Sequence, residues 1–174
     1  MREEAIQYED SGSAYWGEQR RGDGKLIAEG RGILITIDGR IYEGWFKNDR
    51  ITGVGRDVSS NGEIYNGTYL EGRRHGPKGV LADSENGKYM GDFVQGRKHG
   101  NGVYIGGDGI KYEGEFENDK KHGKGLVTYT NGDTLSGDWQ ADKEQGTAIF
   151  KSSKGSEKRL YKNGTVVQRT VLFY

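Results

Sequence analysis

The feature that most constrains this chain is a unit that returns along it about every 23 residues, a period typical of repeat architectures. Its clearest copy is residues 112–133, YEGEFENDKKHGKGLVTYTNGD. Two strand-like runs, Tyr112-Glu113-Gly114-Glu115-Phe116 and Gly125-Leu126-Val127-Thr128-Tyr129, flank a charged connection, and Asn131-Gly132 closes the unit. Asn-Gly is the strongest short hairpin signal, because both residues tolerate positive φ. A chain written this way is expected to stack hairpins rather than build helices.

The copies follow in order. Tyr15-Trp16-Gly17 opens the series after a strand-like Ala5 to Glu9 segment and a Ser11-Gly12-Ser13 turn. About four extra residues precede Gly30-Arg31-Gly32, as in an atypical end repeat. Tyr42-Glu43-Gly44-Trp45-Phe46 leads to Gly53-Val54-Gly55 and Asn61-Gly62. Tyr65-Asn66-Gly67-Thr68-Tyr69 leads to His75-Gly76, an extra residue at Pro77-Lys78, and Asn86-Gly87. Tyr89-Met90-Gly91-Asp92-Phe93 leads to His99-Gly100-Asn101-Gly102 and Asp108-Gly109. In the last clear unit, Leu135-Ser136-Gly137-Asp138-Trp139 with Gly146-Thr147-Ala148, the tyrosine and the second glycine are replaced. The organisation read from this is an N-terminal half-repeat or cap strand (1–14), about six repeats (15–150), and a degenerate repeat ending in a capping strand (151–174).

Composition matters here because it argues in the opposite direction. Apolar content of 32%, charged content of 30% and a mean hydropathy of −0.90 are the marks of a disordered chain. Against that stand 11 Tyr, 5 Phe and 3 Trp set at a fixed period. The 31 glycines with a single proline lack a three-residue period, so they serve turns and close backbone approaches. Net charge is zero, which gives no reason to expect nucleic acid as a partner. There is no cysteine for disulfides or thiolate metal sites. The first ten residues carry no apolar signal segment, and no run approaches a membrane span, so a cytoplasmic protein is expected.

Period-2 geometry assigns the faces. Tyr112, Gly114 and Phe116 share one, Glu113 and Glu115 the other. A bare glycine lets a neighbouring ring lie on the backbone. The expected fold is all-β: an elongated, single-layer antiparallel meander of hairpins, twisted into an open groove with an aromatic lining. An uncovered apolar surface of that extent marks an interaction site.

The pattern resembles the MORN (membrane occupation and recognition nexus) repeat, over roughly residues 15–150. The family form is matched by Tyr112-Glu113-Gly114-Glu115-Phe116, Lys121-His122-Gly123-Lys124-Gly125 and Asn131-Gly132, and again between Tyr89 and Gly109. The resemblance implies a tandem MORN hairpin array that acts as a scaffold in cytoskeletal, ciliary or membrane-associated assemblies. It also implies that some relatives clamp a partner's helical segment, and that phospholipid binding is a proposed role.

Partner binding is therefore expected at the groove aromatics Tyr42, Phe46, Tyr65, Tyr69, Tyr89, Phe93, Tyr112, Phe116, Tyr129 and Trp139, for an amphipathic helix or extended peptide of another protein. The alternative is a membrane adaptor using basic loops: Arg73, Arg74 and His75; Arg97, Lys98 and His99; Lys120, Lys121 and His122. Their structural alternative is a solvated hairpin edge kept charged against association. A metal shared by the three histidines is excluded, since a stagger of ~10 Å per repeat cannot meet Zn–N bonds of ~2.1 Å. No pairing of residues suggests an enzyme, and no cofactor is expected. The apolar end Val171-Leu172-Phe173-Tyr174 is a candidate strand for homodimer pairing.

Overall fold

The computed structural model describes residues 5–9 and 11–172. Every regular element among them is a strand, and all sixteen belong to one open antiparallel sheet, hydrogen-bonded in chain order except for one short side pairing. The chain divides into two compact units, residues 1–84 with 93–96 and residues 85–92 with 97–174.

The first unit contains β1 (Ile6–Tyr8), β2 (Ser13–Gly22), β3 (Lys25–Ile35), β4 (Ile41–Lys47), β5 (Arg50–Val58), β6 (Ile64–Leu70), β7 (Arg73–Arg74) and β8 (Gly76–Ala82). The division runs through β9 (Lys88–Val94). The second unit continues with β10 (Arg97–Ile105), β11 (Lys111–Glu117), β12 (Lys120–Thr128), β13 (Thr134–Gln140), β14 (Lys143–Ser152), β15 (Gly155–Lys162) and β16 (Thr165–Leu172).

Two kinds of turn alternate. At the hairpin tips a pair of residues takes positive φ: Asn48-Asp49, Asn118-Asp119 and Ala141-Asp142 without any glycine, and Asp23-Gly24, Glu71-Gly72, Gln95-Gly96 and Asn163-Gly164 with one. These are the primed geometries that match strand twist. At Asn61-Gly62 and Asn131-Gly132, by contrast, only the glycine is left-handed, at φ 89° and 85°. There the asparagine acts through its side chain: Asn131 Oδ1 accepts the Asp133 amide at 3.0 Å, and Asn61 Oδ1 that of Glu63 at 3.1 Å. The Asn-Gly pairs mark turns as expected, but the tight two-residue hairpins sit at the charged connections.

The tips are tied to the preceding hairpin. The Asp119 amide donates to the Lys98 carbonyl at 3.0 Å, and the Lys98 amide donates to Asp119 Oδ1 at 2.9 Å. Asp142 repeats this ring with Lys121, and Asp49 repeats it with Ala28. The residues inserted before Gly30 lengthen the β2–β3 hairpin, adding the pairs from Gln19↔Ala28 to Gly22↔Lys25.

Each hairpin also carries an offset. Between β11 and β12 the register runs Gly114↔Gly125 and then Glu115↔His122, so Gly123 and Lys124 are left over. The same shift follows Gly44 in β4, and β2 and β13 have equivalents at Gly17 and Ser136. Bulges bend a strand and release backbone groups from the ladder. That bend is where the tyrosines sit.

Candidate functional site

Each repeat tyrosine lies in the crook of its own hairpin, over glycine backbone. A Cβ at Gly125 would come within 2.5 Å of the Tyr112 hydroxyl oxygen, and one at Gly55 within 2.7 Å of the Tyr42 ring. The hydroxyl then meets carbonyls at the bulge. Tyr112 donates to Glu115 O at 3.0 Å or His122 O at 3.3 Å, Tyr89 to Asp92 O at 3.0 Å, Tyr65 to Thr68 O at 3.2 Å, and Tyr42 to Trp45 O at 3.3 Å. Tyr15 does the same to Glu18 O at 2.6 Å. A phenylalanine would fill the space but leave those carbonyls without this partner.

The rings continue into edge-to-face rows. In the first unit the row is Tyr15, Phe46, Tyr42, Tyr69, Tyr65 and Phe93, with centroids 4.7 to 5.3 Å apart. In the second it is Tyr89, Phe116, Tyr112 and Trp139, at 4.9 to 5.4 Å. This arrangement suits the ring quadrupole and adds to area burial.

The expectation of an open aromatic lining is corrected at this point. Tyr42, Phe46, Tyr65, Tyr69, Tyr89, Phe93, Tyr112, Phe116 and Trp139 are all at most 6% exposed. Tyr129 alone of the ten is half-buried, edge-on to Phe150. The sequence places these rings on one face correctly; packed edge-to-face on one another and over glycine backbone, they are buried rather than exposed. The nine buried rings form the core of each unit. Burial also raises the phenols: Tyr42 and Tyr65 are pushed up to about 12, and Tyr89, Tyr112 and Tyr129 are raised too.

The basic loops divide in the same way. Arg73, Arg97 and Lys120 are exposed. Arg74, Lys98 and Lys121 turn inward over the rings: Arg74 lies 4.9 Å from the Tyr65 centroid, Lys98 4.9 Å from Tyr104, and Lys121 5.1 Å from both Tyr112 and Trp139. His75, His99 and His122 are half-buried, with His122 Nδ1 3.3 Å from Glu117. One cation of each pair is thus spent on cation–π packing, which thins the edge that an anionic membrane would require.

A buried acid at Asp57 went unread in the sequence. It stands two residues after Gly55, where the sister repeats carry Leu81 or Val127, and is fully buried. The Tyr69 hydroxyl donates to it, Arg40 lies at 3.0 Å, Arg74 at 3.2 Å, and Ser59 donates at 3.3 Å. Burial alone pushes this carboxyl upward; the tyrosine and the two arginines outweigh it and hold it below the ordinary carboxylate range. An Asp in the slot of a Val is the one available signal, and Arg40 and Arg74 lie far from it in sequence.

The apolar surface left uncovered lies on the opposite face, and in the first unit it is ordered. Cross-strand partners there form a row of six, Ala14, Ile35, Ile41, Val58, Ile64 and Ala82. Beside it runs a second row, Trp16, Ile33, Glu43, Arg56, Asn66 and Val80. Trp16 is 41% exposed, Ile33 41%, Ile35 38% and Ile41 44%. Trp45 and Val54 lie exposed on the same face. The matching row of the second unit reads Ile105, Lys111, Thr128, Thr134, Lys151 and Ser156. The strands therefore do not require aliphatic residues at these positions.

Comparison with known proteins fits the repeat geometry. The MORN repeat model matches residues 65–77, 89–111, 112–134 and 136–157. No curated protein matches at a significant level. Among solved structures, the chain is similar to the TCP domain of SAS-4 (dCPAP) of Drosophila melanogaster, solved in complex with a proline-rich motif of Ana2 (dSTIL). Identity there is 14%, coverage 91% of this chain and 90% of that one, and the TM-score 0.48. Ahead of the matched residues, Tyr15 and Tyr42 sit over their glycines as Tyr89 and Tyr112 do. The chain is a MORN-repeat protein.

Proposed function

We propose that this chain is a non-enzymatic cytoplasmic scaffold that joins a larger protein assembly through the outer face of its first unit. The observation that supports the reading is the aliphatic row with Trp16, Ile33 and Trp45 on the outer face, where the matching row of the second unit carries Lys111, Thr128, Thr134 and Lys151. Apolar side chains grouped in this way, rather than scattered singly, mark interaction surfaces. Fully buried rings leave the tyrosine face with a structural role, so the partner-facing chemistry moves to the other side of the sheet.

The test is affinity capture with the full chain as bait, wild type against the double substitution Ile41→Lys and Ile64→Lys. Lys88 and Lys111 already occupy these positions ahead of their tyrosines, so the fold is expected to tolerate the change. The reading expects proteins held by the wild type to be lost from the variant, whose circular dichroism stays β-rich. An identical captured set would remove it.

A further inference from the structure

The outer face of the first unit is close to palindromic across its strands. Read from β2 to β8, the aliphatic row is small, large, large, large, large, small: Ala14, Ile35, Ile41, Val58, Ile64, Ala82. Its centre falls between β4 and β5. In the adjoining row the two residues at the same centre are Glu43 on β4 and Arg56 on β5, cross-strand neighbours of opposite charge.

A two-fold axis lying in the interface, parallel to the strands and passing between β4 and β5, reverses each row onto itself. Ile41 then meets Val58 of a second copy, and Ile35 meets Ile64. The two alanines at the ends meet each other. In the charged row, Glu43 meets Arg56 and Arg56 meets Glu43. Trp16 meets Val80, and Ile33 meets Asn66. Every apolar residue finds an apolar or neutral one, and the two charges find their opposites. At ~4.8 Å per strand the row is about 24 Å long, and aligned sheets pack face to face about 10 Å apart. An isologous contact demands this self-complementarity, residue i on j and j on i.

From this complementarity of charge and size we propose that the outer face of the first unit is a homodimer interface, occupied by a second copy of this chain. The inference rests on the scaffold reading above and names the occupant of that face. The charge pair sets the register, and the aliphatic row supplies the buried area. In the equivalent row of the second unit the same axis would set Lys111 against Lys151, like charge on like.

Sedimentation of the full chain at tens of micromolar tests it. Wild type is expected to sediment as a dimer, and Ile41→Lys as a monomer. The decisive arm is charge exchange. Glu43→Arg and Arg56→Glu each place like charges across the axis, and each is expected to weaken self-association at least tenfold. An equimolar mixture of the two variants sets opposite charges across the axis at both positions and is expected to regain the dimer. A change confined to the fold of each chain cannot produce rescue by mixing. A monomeric wild type overturns the inference while leaving the capture result standing. A dimer that survives Ile41→Lys overturns it too, placing the contact elsewhere, such as the β16 edge. Loss of association in both charge variants without recovery on mixing also overturns it.

Discussion

At the residue scale the fold depends on a bargain between tyrosine and glycine. The ring needs the room of two bare backbones, and the bulge carbonyls need the hydroxyl. Gly125→Val places methyl groups inside the Tyr112 ring and is expected to cost more than about 3 kcal/mol, as overpacking with backbone shift does. Tyr112→Phe removes only the hydroxyl and is expected to cost about 1–2 kcal/mol by chemical denaturation. The last clear repeat shows the bargain rewritten. Leu135 replaces the tyrosine, and the Cβ of Ala148 takes up space beside Gly137 that a ring would otherwise claim. Leu135→Tyr alone is expected to destabilise, and Ala148→Gly added to it to recover most of the loss; an additive pair of effects would contradict this. At Asp57 the folded carboxyl lies below its unfolded value of about 3.9. Its contribution is therefore complete above about pH 4 and is lost as pH falls below that. Asp57→Asn is expected to cost about 3 kcal/mol near neutrality and to flatten the acid limb of the stability profile.

At the scale of the hairpin, much was legible in the sequence and some was not. The period, the strand pairs and the common face of Tyr112, Gly114 and Phe116 follow from spacing alone. The tip turns were harder to read, because Asn118-Asp119 and Ala141-Asp142 carry no glycine to announce positive φ. Their aspartates are chosen for a bond to the previous hairpin, a non-local reason that spacing cannot show. Nor does spacing reveal the two-residue offset that bends each hairpin, without which the rings would face solvent. Ala141 is the clearest residual strain, an alanine at φ 49° where the sister tips have Asn48 and Asn118. Ala141→Asn is expected to stabilise by about 1 kcal/mol, read as a raised Tm with unchanged circular dichroism.

At the scale of the whole molecule, the two faces of the strands have separate duties: the tyrosine face is core in both units, and the outer face differs between them. Because the core is phenolic, it is sensitive to alkali. Tyr42 and Tyr65 hold their protons to about pH 12, above the unfolded value of about 10. Their stabilisation is intact below pH 10 and is lost between 10 and 12, so a cooperative alkaline unfolding is expected there, coincident with tyrosinate absorbance.

Oxidative footprinting of the intact chain, quantified residue by residue by mass spectrometry, tests the division of faces most directly. In the Ile41→Lys chain, whose outer face holds no second copy, the account predicts strong labelling of Trp16 and Trp45, and protection of Tyr42, Tyr65, Tyr89, Tyr112 and Trp139. Tyrosines that label as readily as Trp16 in the folded chain would mean that the ring rows are open surface, and would contradict it.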